Sequence, residues 1–344
     1  MSPLLSPPLF AFGTCVLLHF LALELFPKIK LLDFPERYGL KRRRLPYPTG
    51  VIPILIFLPL YAWLQWDVQS FGLMTGIVLL GITSFIDDRS PLPWWIRVLV
   101  QIGVAFIIFA TGSRIYTITN PLDALTSVPY FKLDSYVFLT PLGSLPLWSG
   151  IFTIFWLGLT MNALNWFDGI PGQVSILSTI GFLVIGFLSL SDRVGQPYLA
   201  LLAFILAGLA LGSFLFEIPP PKVLSGDSGA MFFGLMLGVL TIYAGGKVAT
   251  VFLVLGVPLI DSLLVTLRRI LQGKSPFKGS QTGEHLHHRL LEKDWTELQV
   301  IFLTVALGSI FGITALFLST FQKLAAALIL LFLMIGLLRY TKKT

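Results

Sequence analysis

The stretch VQSFGLMTGIVLLGITSFIDD, Val68–Asp88, decides the fold. Val68 to Ile86 supplies about the 20 mostly apolar residues that a helix needs to cross a hydrocarbon core, and two carboxylates then end the run. The same window finds about eleven such segments: Leu9–Phe26, Gly50–Trp66, Val68–Ile86, Trp94–Ala110, Trp148–Leu164, Val174–Leu190, Pro197–Phe216, Gly229–Gly246, Val248–Leu267, Leu298–Thr320 and Lys323–Leu338. Over all 344 residues, 55% are hydrophobic and only 12% charged, against roughly 25% charged in an average soluble domain. A soluble globular enzyme, a disordered chain and a secreted disulfide scaffold are excluded, the last also because Cys15 is the only cysteine. The expectation is an all-α integral membrane protein, a polytopic bundle of about 11 transmembrane helices in a single domain over residues 1–344.

Orientation follows from the basic residues, because connections on the cytoplasmic side retain Lys and Arg. With the N-terminus outside, 19 of the 24 Lys and Arg fall on inner connections: Lys28, Lys30, Arg37, Lys41–Arg44, Arg89, Arg97, Lys222, Arg268, Arg269, Lys274, Lys278, Arg289, Lys293, Arg339, Lys342 and Lys343. This predicts an N-out, C-in chain. No basic residue precedes Lys28, so the first segment reads as a true span and not a cleaved signal. The net charge of +7 is then a topology marker, and no nucleic-acid partner is expected. Thr111–Leu147, on the outer side, reads as a loop with a short hairpin or an interfacial helix.

That topology gathers the unusual polar residues on the cytoplasmic face. Asp87 and Asp88 end the third span, and Asn162, Asn165 and Asp168 end the fifth. Lys222 and Asp227 precede the eighth, and His285, His287 and His288 lie between the ninth and tenth. The bland account of Asp87–Asp88 is a solvated helix-end pair neutralised by Arg89. Several carboxylates at one depth argue instead for a hard divalent cation that bridges to phosphates. Asn162, Asn165 and Asp168 recur at three-residue spacing, and Gly169, Pro171 and Gly172 then break the helix; alone they are an ordinary polar terminus. Gly226-Asp227-Ser228-Gly229 alone is an N-cap. Glu284-His285-Leu286-His287-His288-Arg289 is the strongest local feature, suited to phosphate oxygens. Its rivals are a transition-metal site, which no cysteine supports, and a solvated basic loop.

Together these residues resemble the polyprenyl-phosphate N-acetylhexosamine-1-phosphate transferase family, the glycosyltransferase family 4 enzymes of the UDP-GlcNAc:undecaprenyl-phosphate GlcNAc-1-phosphate transferase type. The resemblance rests on Asp33-Phe34-Pro35-Glu36-Arg37 with Pro46-Tyr47-Pro48-Thr49-Gly50, on Asp87-Asp88, on Asn162–Gly172, on Pro221-Lys222-Val223 running into Gly226–Gly229, and on Pro258-Leu259-Ile260-Asp261 ahead of the histidine box. It departs from the family at Pro171, where a second aspartate associated with the nucleotide end is common, and at Ala230, where serine is common. The His-Leu-His-His form is similar to the branch using UDP-N-acetylglucosamine or a related UDP-sugar; the branch using UDP-N-acetylmuramoyl-pentapeptide is the alternative.

The resemblance implies transfer of a sugar-1-phosphate from a UDP-N-acetylhexosamine to polyprenyl phosphate in the bacterial cytoplasmic membrane, releasing UMP and starting a cell-wall or surface polysaccharide. It implies Mg2+, with Mn2+ as the substitute, held by Asp227 with help from Asp88. Asp87 or Asp88 would accept the acceptor's proton or act as nucleophile, with Asn165 and Asp168 orienting nucleotide or metal. His285, His287, His288, Arg289 and Lys222 would hold phosphate oxygens, Asn162 would line the substrate site, and Arg42, Arg43 and Arg44 would favour anionic lipid. A homodimer is left open. Among rival classes, a transporter would carry acids near span centres and an internal repeat, which are not found. A CDP-alcohol phosphatidyltransferase does not match Asp168–Gly172, and a degenerate, non-catalytic member rests on Pro171 alone.

Overall fold

The computed structural model describes residues 4–38, 42–122, 126–140, 143–275 and 283–341, and it is mostly helical. Of the expected inner cations, Lys41, Lys278, Lys342, Lys343 and the Arg37 side chain lie outside the described residues. Among the described residues thirteen α-helices follow one another: α1 (Ser6–Lys28), α2 (Val51–Leu64), α3 (Val68–Arg89), α4 (Trp94–Ala110), α5 (Leu147–Phe167), α6 (Gln173–Leu190), α7 (Pro197–Glu217), α8 (Asp227–Tyr243), α9 (Val248–Val254), α10 (Gly256–Leu271), α11 (Leu286–Leu291), α12 (Glu297–Ala315) and α13 (Thr320–Tyr340).

Among the described residues seven helices, α1, α3, α5, α6, α7, α12 and α13, are long and apolar enough to cross a bilayer, and the α9–α10 pair brings the number to eight if it counts as one span. The remaining three of the eleven sequence segments correspond to α2, α4 and α8, apolar helices of 14, 17 and 17 residues. The segment Val248–Leu267, read as one straight span, is instead broken at Leu255 and bent by 89°. Helix ends carry the expected chemistry. Asp67 caps α3 by accepting from the Ser70 amide at 2.7 Å, and Thr296 with Gln299 and Ser319 with Gln322 form capping boxes on α12 and α13.

Helix α8 is the axis of the bundle. From Ser228 to Ile242 every residue is buried, against α5, α3 and α6. Helices α1 and α13 leave most of their apolar surface uncovered, as a lipid-facing perimeter requires. Between α4 and α5 the chain forms two short antiparallel hairpins, β1 (Thr117–Thr119) with β2 (Tyr130–Lys132) and β3 (Val137–Thr140) with β4 (Gly143–Pro146), registered Thr117 to Lys132 and Val137 to Pro146. At the opposite end, the connection between α1 and α2 is pinned to the one between α7 and α8. Asp33 N donates to Leu45 O, Leu224 N to Pro46 O, and Thr49 N to Leu224 O, at 3.0, 3.0 and 2.9 Å. This backbone ribbon carries Tyr47 and the Gly226–Gly229 turn to the same place.

Candidate active site

The site is built where α3 ends and α8 begins. Asp88, on the last turn of α3, accepts from Tyr47 Oη at 2.7 Å, from Asp227 N at 2.8 Å and from Ser228 N at 3.1 Å, and also from Ser228 Oγ. Gly226 permits this approach. Its φ is +77°, and a Cβ there would sit 2.7 Å from Asp88 Oδ1. The side chain at the start of α8 is therefore aimed by backbone amides laid across a carboxylate.

Asp87 points elsewhere: it accepts from Leu92 N at 2.5 Å and pairs with Arg97 at 3.1 Å, and Arg97 also reaches Asp227 Oδ2 at 3.6 Å. The expected neutralising partner of the doublet, Arg89, instead donates to the carbonyls of Leu32 and Lys30. The helical offset of one residue from Asp88 turns Arg89 to another side of α3, whereas Arg97 returns on α4 to face Asp87.

The end of α5 brings in Asp168, which accepts no side-chain hydrogen bond from the described residues. Burial, and then the charges of Glu217, Asp227 and Asp88, push its carboxyl well above the ordinary carboxylate range. Asn162 is turned away, donating to Gln101 Oε1 at 2.6 Å and Gly158 O at 2.8 Å. Asn165 neighbours Asp227, and its Nδ2 is buried with no hydrogen-bond partner among the described residues.

The histidine box packs on the same turn. His285 is fixed by buried Asp261, whose Oδ2 lies 2.7 Å from Nδ1 and whose Oδ1 accepts the Leu286 amide at 3.0 Å. His287 stacks on His285 with centroids 5.8 Å apart, meets Phe167 edge-on, and lies 4.2 Å from the ring of His288. Gly169 makes room for it, since a Cβ there would lie 2.0 Å from His287 Nε2. Among the described residues neither His287 nitrogen has a partner, and burial followed by the neighbouring His288 and His285 pushes its pKa well below 6.5. His288 is half-buried, and Arg289 Nε is held by Gly283 O at 3.0 Å. With His285 and His287 buried, the solvated-loop account of the box fails.

The remaining cations sit beside this cluster. Arg42 pairs with buried Asp33 at 2.7 Å and Arg44 with Glu36 at 3.0 Å, so these two also shape the connection between α1 and α2. Arg43 and Lys222 are exposed, Lys222 over the Phe216 ring. Sequence reasoning passed over Glu217, the buried last residue of α7. Its Oε2 accepts from Ser175 Oγ at 2.6 Å, and among the described residues neither its Oε1 nor Ser225 Oγ has a hydrogen-bond partner. An acid at the end of an apolar run was the available clue. Tyr47 and Asp261 were quoted only within motifs, and Arg97 only as a topology marker.

No three His, Cys, Asp or Glu side chains among the described residues converge as a ready-made metal site. The carboxylates of Asp87 and Asp227 nonetheless share one guanidinium, Arg97, and the charges of Asp227 and Asp88 bear on Asp168. That oxygen-only donor set, with excess negative charge, suits a hard cation such as magnesium.

A half-buried carboxylate cluster beside a histidine box, at one end of a polytopic helical bundle, defines the class, and residues 70–245 match the profile of glycosyl transferase family 4. The chain belongs to that family. It is 29% identical over 304 residues to a Bacillus subtilis (strain 168) protein described as a probable undecaprenyl-phosphate N-acetylglucosaminyl 1-phosphate transferase, covering 85% of this chain and 78% of that one. It is 27% identical over 331 residues to the Escherichia coli K12 undecaprenyl-phosphate alpha-N-acetylglucosaminyl 1-phosphate transferase, covering 89% and 82%. A Mycobacterium leprae decaprenyl-phosphate N-acetylglucosaminephosphotransferase is 30% identical over 257 residues, covering 67% and 60%.

Proposed function

We propose that this protein transfers N-acetylglucosamine-1-phosphate from its UDP-sugar to polyprenyl phosphate at the cytoplasmic face of the bacterial cytoplasmic membrane, releasing UMP. The observation that carries the proposal is the convergence of Asp88, Asp168, Asp227 and His287 at one end of the bundle, in a chain whose relatives are named for that transfer. In the reaction an oxygen of the acceptor phosphate bonds to the sugar-bearing phosphorus, and the bond to the UMP oxygen breaks. Two anions must meet, so positioning and charge neutralisation supply most of the rate.

Asp168, unsatisfied by hydrogen bonds and pushed up by burial and like charges, is the carboxylate best suited to take a proton from the acceptor phosphate. Asp88, already holding four donors, organises the turn before α8 and aims Asp227. Arg97 opposes the accumulating negative charge, and His288 and Arg289 offer donors to the diphosphate. Magnesium, held by Asp227 with help from Asp88, would neutralise diphosphate oxygens.

The test is a panel of UDP-sugars supplied with polyprenyl phosphate and magnesium to sealed inverted and right-side-out vesicles, with the lipid product identified by mass. GlcNAc-diphosphate lipid forming only in inverted vesicles, and not with Asp227→Asn, is the expected result. Absence of product with every sugar, or near-normal turnover by Asp227→Asn at limiting magnesium, would overturn the assignment.

A further inference from the structure

At the end of the bundle away from the carboxylates, the ribbon of β3 and β4 runs directly into α5. The sequence that contains it, Ser135 to Trp148, has no charged residue, whereas Lys132 and Asp134 stand just before it. Successive side chains of a strand point to opposite faces, and here both faces are apolar and uncovered. Val137 and Leu139, on one face, are 47% and 88% exposed; Phe138, on the other face and opposite Leu145 in the register, is 58% exposed. An antiparallel ribbon in water packs one face on a core and turns polar side chains outward on the other. Exposed apolar surface of this kind marks an interaction site.

The ribbon is fixed to the body of the protein, so this surface is preset. Arg114 Nη1 donates to Ser144 O at 2.7 Å, with its guanidinium 5.0 Å from the centroid of the Phe109 ring. Leu147 N donates to Tyr136 O and Ser149 N to Leu133 O, both at 3.0 Å, which ties the start of the ribbon to the first turn of α5.

Two features decide what covers it. A protein laid on the ribbon would cover one face and leave the other in water, whereas lipid wets both. The exposed apolar surface also continues past the ribbon: Trp148, Ile151 and Phe155 carry it along α5 at the spacing of one helix face. Helix α5 is long and apolar enough to span a bilayer, so that stripe is its lipid-facing side. Depth follows from the backbone. The outer edges of β3 and β4 have no strand partner among the described residues, and unpaired amides do not enter hydrocarbon. The ribbon therefore sits at headgroup level, about 5–10 Å into the boundary with the acyl chains, where Tyr136 and Trp148 are also at home.

The geometry points to the β3–β4 ribbon as a membrane-seated element, lying in the leaflet away from the active site with Val137, Phe138 and Leu139 among headgroups and upper acyl chains. Its partner is the lipid surface itself, because the ribbon has no charge with which to select a headgroup. Nothing in this depends on the transferase reading.

Spin labelling reads the depth directly. The full chain carrying Leu139→Cys is labelled with a nitroxide in phosphatidylcholine nanodiscs, and collisions with oxygen, which concentrates in lipid, are compared with collisions with a water-soluble nickel chelate. Cys15 is fully buried, and unsubstituted protein taken through the same labelling is the blank. The expected result is an excess of oxygen collisions at residue 139, as at a Phe155→Cys reference on α5, with the reverse at Asp134→Cys. Val137→Cys and Phe138→Cys repeat the reading from the two faces, which keeps the test open should the first variant fold poorly, and oxygen should be in excess at both. An excess of nickel collisions puts the ribbon in water and overturns the proposal. Protection from both reagents, or an oxygen excess on one face only, places it under protein, whether a second copy or another chain, and overturns it equally.

Discussion

Asp261 is the residue on which the histidine box depends, and Asp261→Asn tests that dependence with little change in volume. The wild-type carboxylate, 1% exposed, meets His285 Nδ1 at 2.7 Å with one oxygen and the Leu286 amide at 3.0 Å with the other. It thereby fixes both a ring and the first turn of α11, the helix that carries His287 and His288. In the asparagine variant Oδ1 can still accept from Leu286, but an NH2 group then faces His285 Nδ1. The ring must present a lone pair there or turn away. A hydrogen bond to a charged group is worth about 1.5–3 kcal/mol, which corresponds to a roughly 10- to 150-fold loss of kcat/KM if the ring's orientation is used in the reaction. The assay is transfer of labelled sugar phosphate to polyprenyl phosphate by purified protein, alongside its thermal midpoint in the same detergent. Turnover within twofold of wild type in a well-folded variant would refute the idea that Asp261 orients the box. Asp261→Ala is the control for folding: it strands two buried donors and is expected to cost about 3–5 kcal/mol of stability, so its failure would be a melting failure.

Gly169→Ala inserts a methyl group 2.0 Å from His287 Nε2. Overpacking of about 1–3 kcal/mol should displace the ring and lower transfer at least tenfold with membrane insertion intact; wild-type turnover would show that the contact is dispensable. His287 also sets a pH dependence of stability. Its folded pKa lies well below the ordinary 6.5, so above 6.5 it is neutral in both states and its contribution is fully present. As pH falls below 6.5 the unfolded chain takes a proton that the folded chain refuses, and about 1.4 kcal/mol is lost per pH unit until the folded pKa is reached. Thermal midpoints measured from about pH 7 to pH 5 should fall more steeply for wild type than for His287→Phe, and parallel slopes would contradict the burial argument.

The legible part of this protein was that which depends on runs and neighbours. Desolvating a backbone in hydrocarbon requires long apolar helices, so composition and the recurrence of segments such as Val68–Ile86 sufficed for the class. Expensive ionisable groups at the ends of those segments sufficed for most of the candidate site. The bend at Leu255 was missed because the 20-residue window over Val248–Leu267 is apolar on average, and hydropathy carries no direction. Glu217 was passed over because a single acid at a helix end looks the same in sequence whether it is solvated or turned inward.

What the sequence determined by itself was a polytopic helical membrane protein with its acids and histidines at segment ends, and a resemblance spanning nearly the whole chain. Only the tertiary structure decided which of those groups meet. It separated Asp87 from Asp88 by one helical step, committing the first to Arg97 and the second to the amides before α8. It turned Asn162 toward Gln101, joined Asp261 to His285 across 24 residues, and brought Gly169 against His287. The physical reason is range: hydrophobicity acts on each segment wherever it lies, whereas a hydrogen bond exists only when two particular atoms come within about 3 Å, and packing around α8 sets those distances.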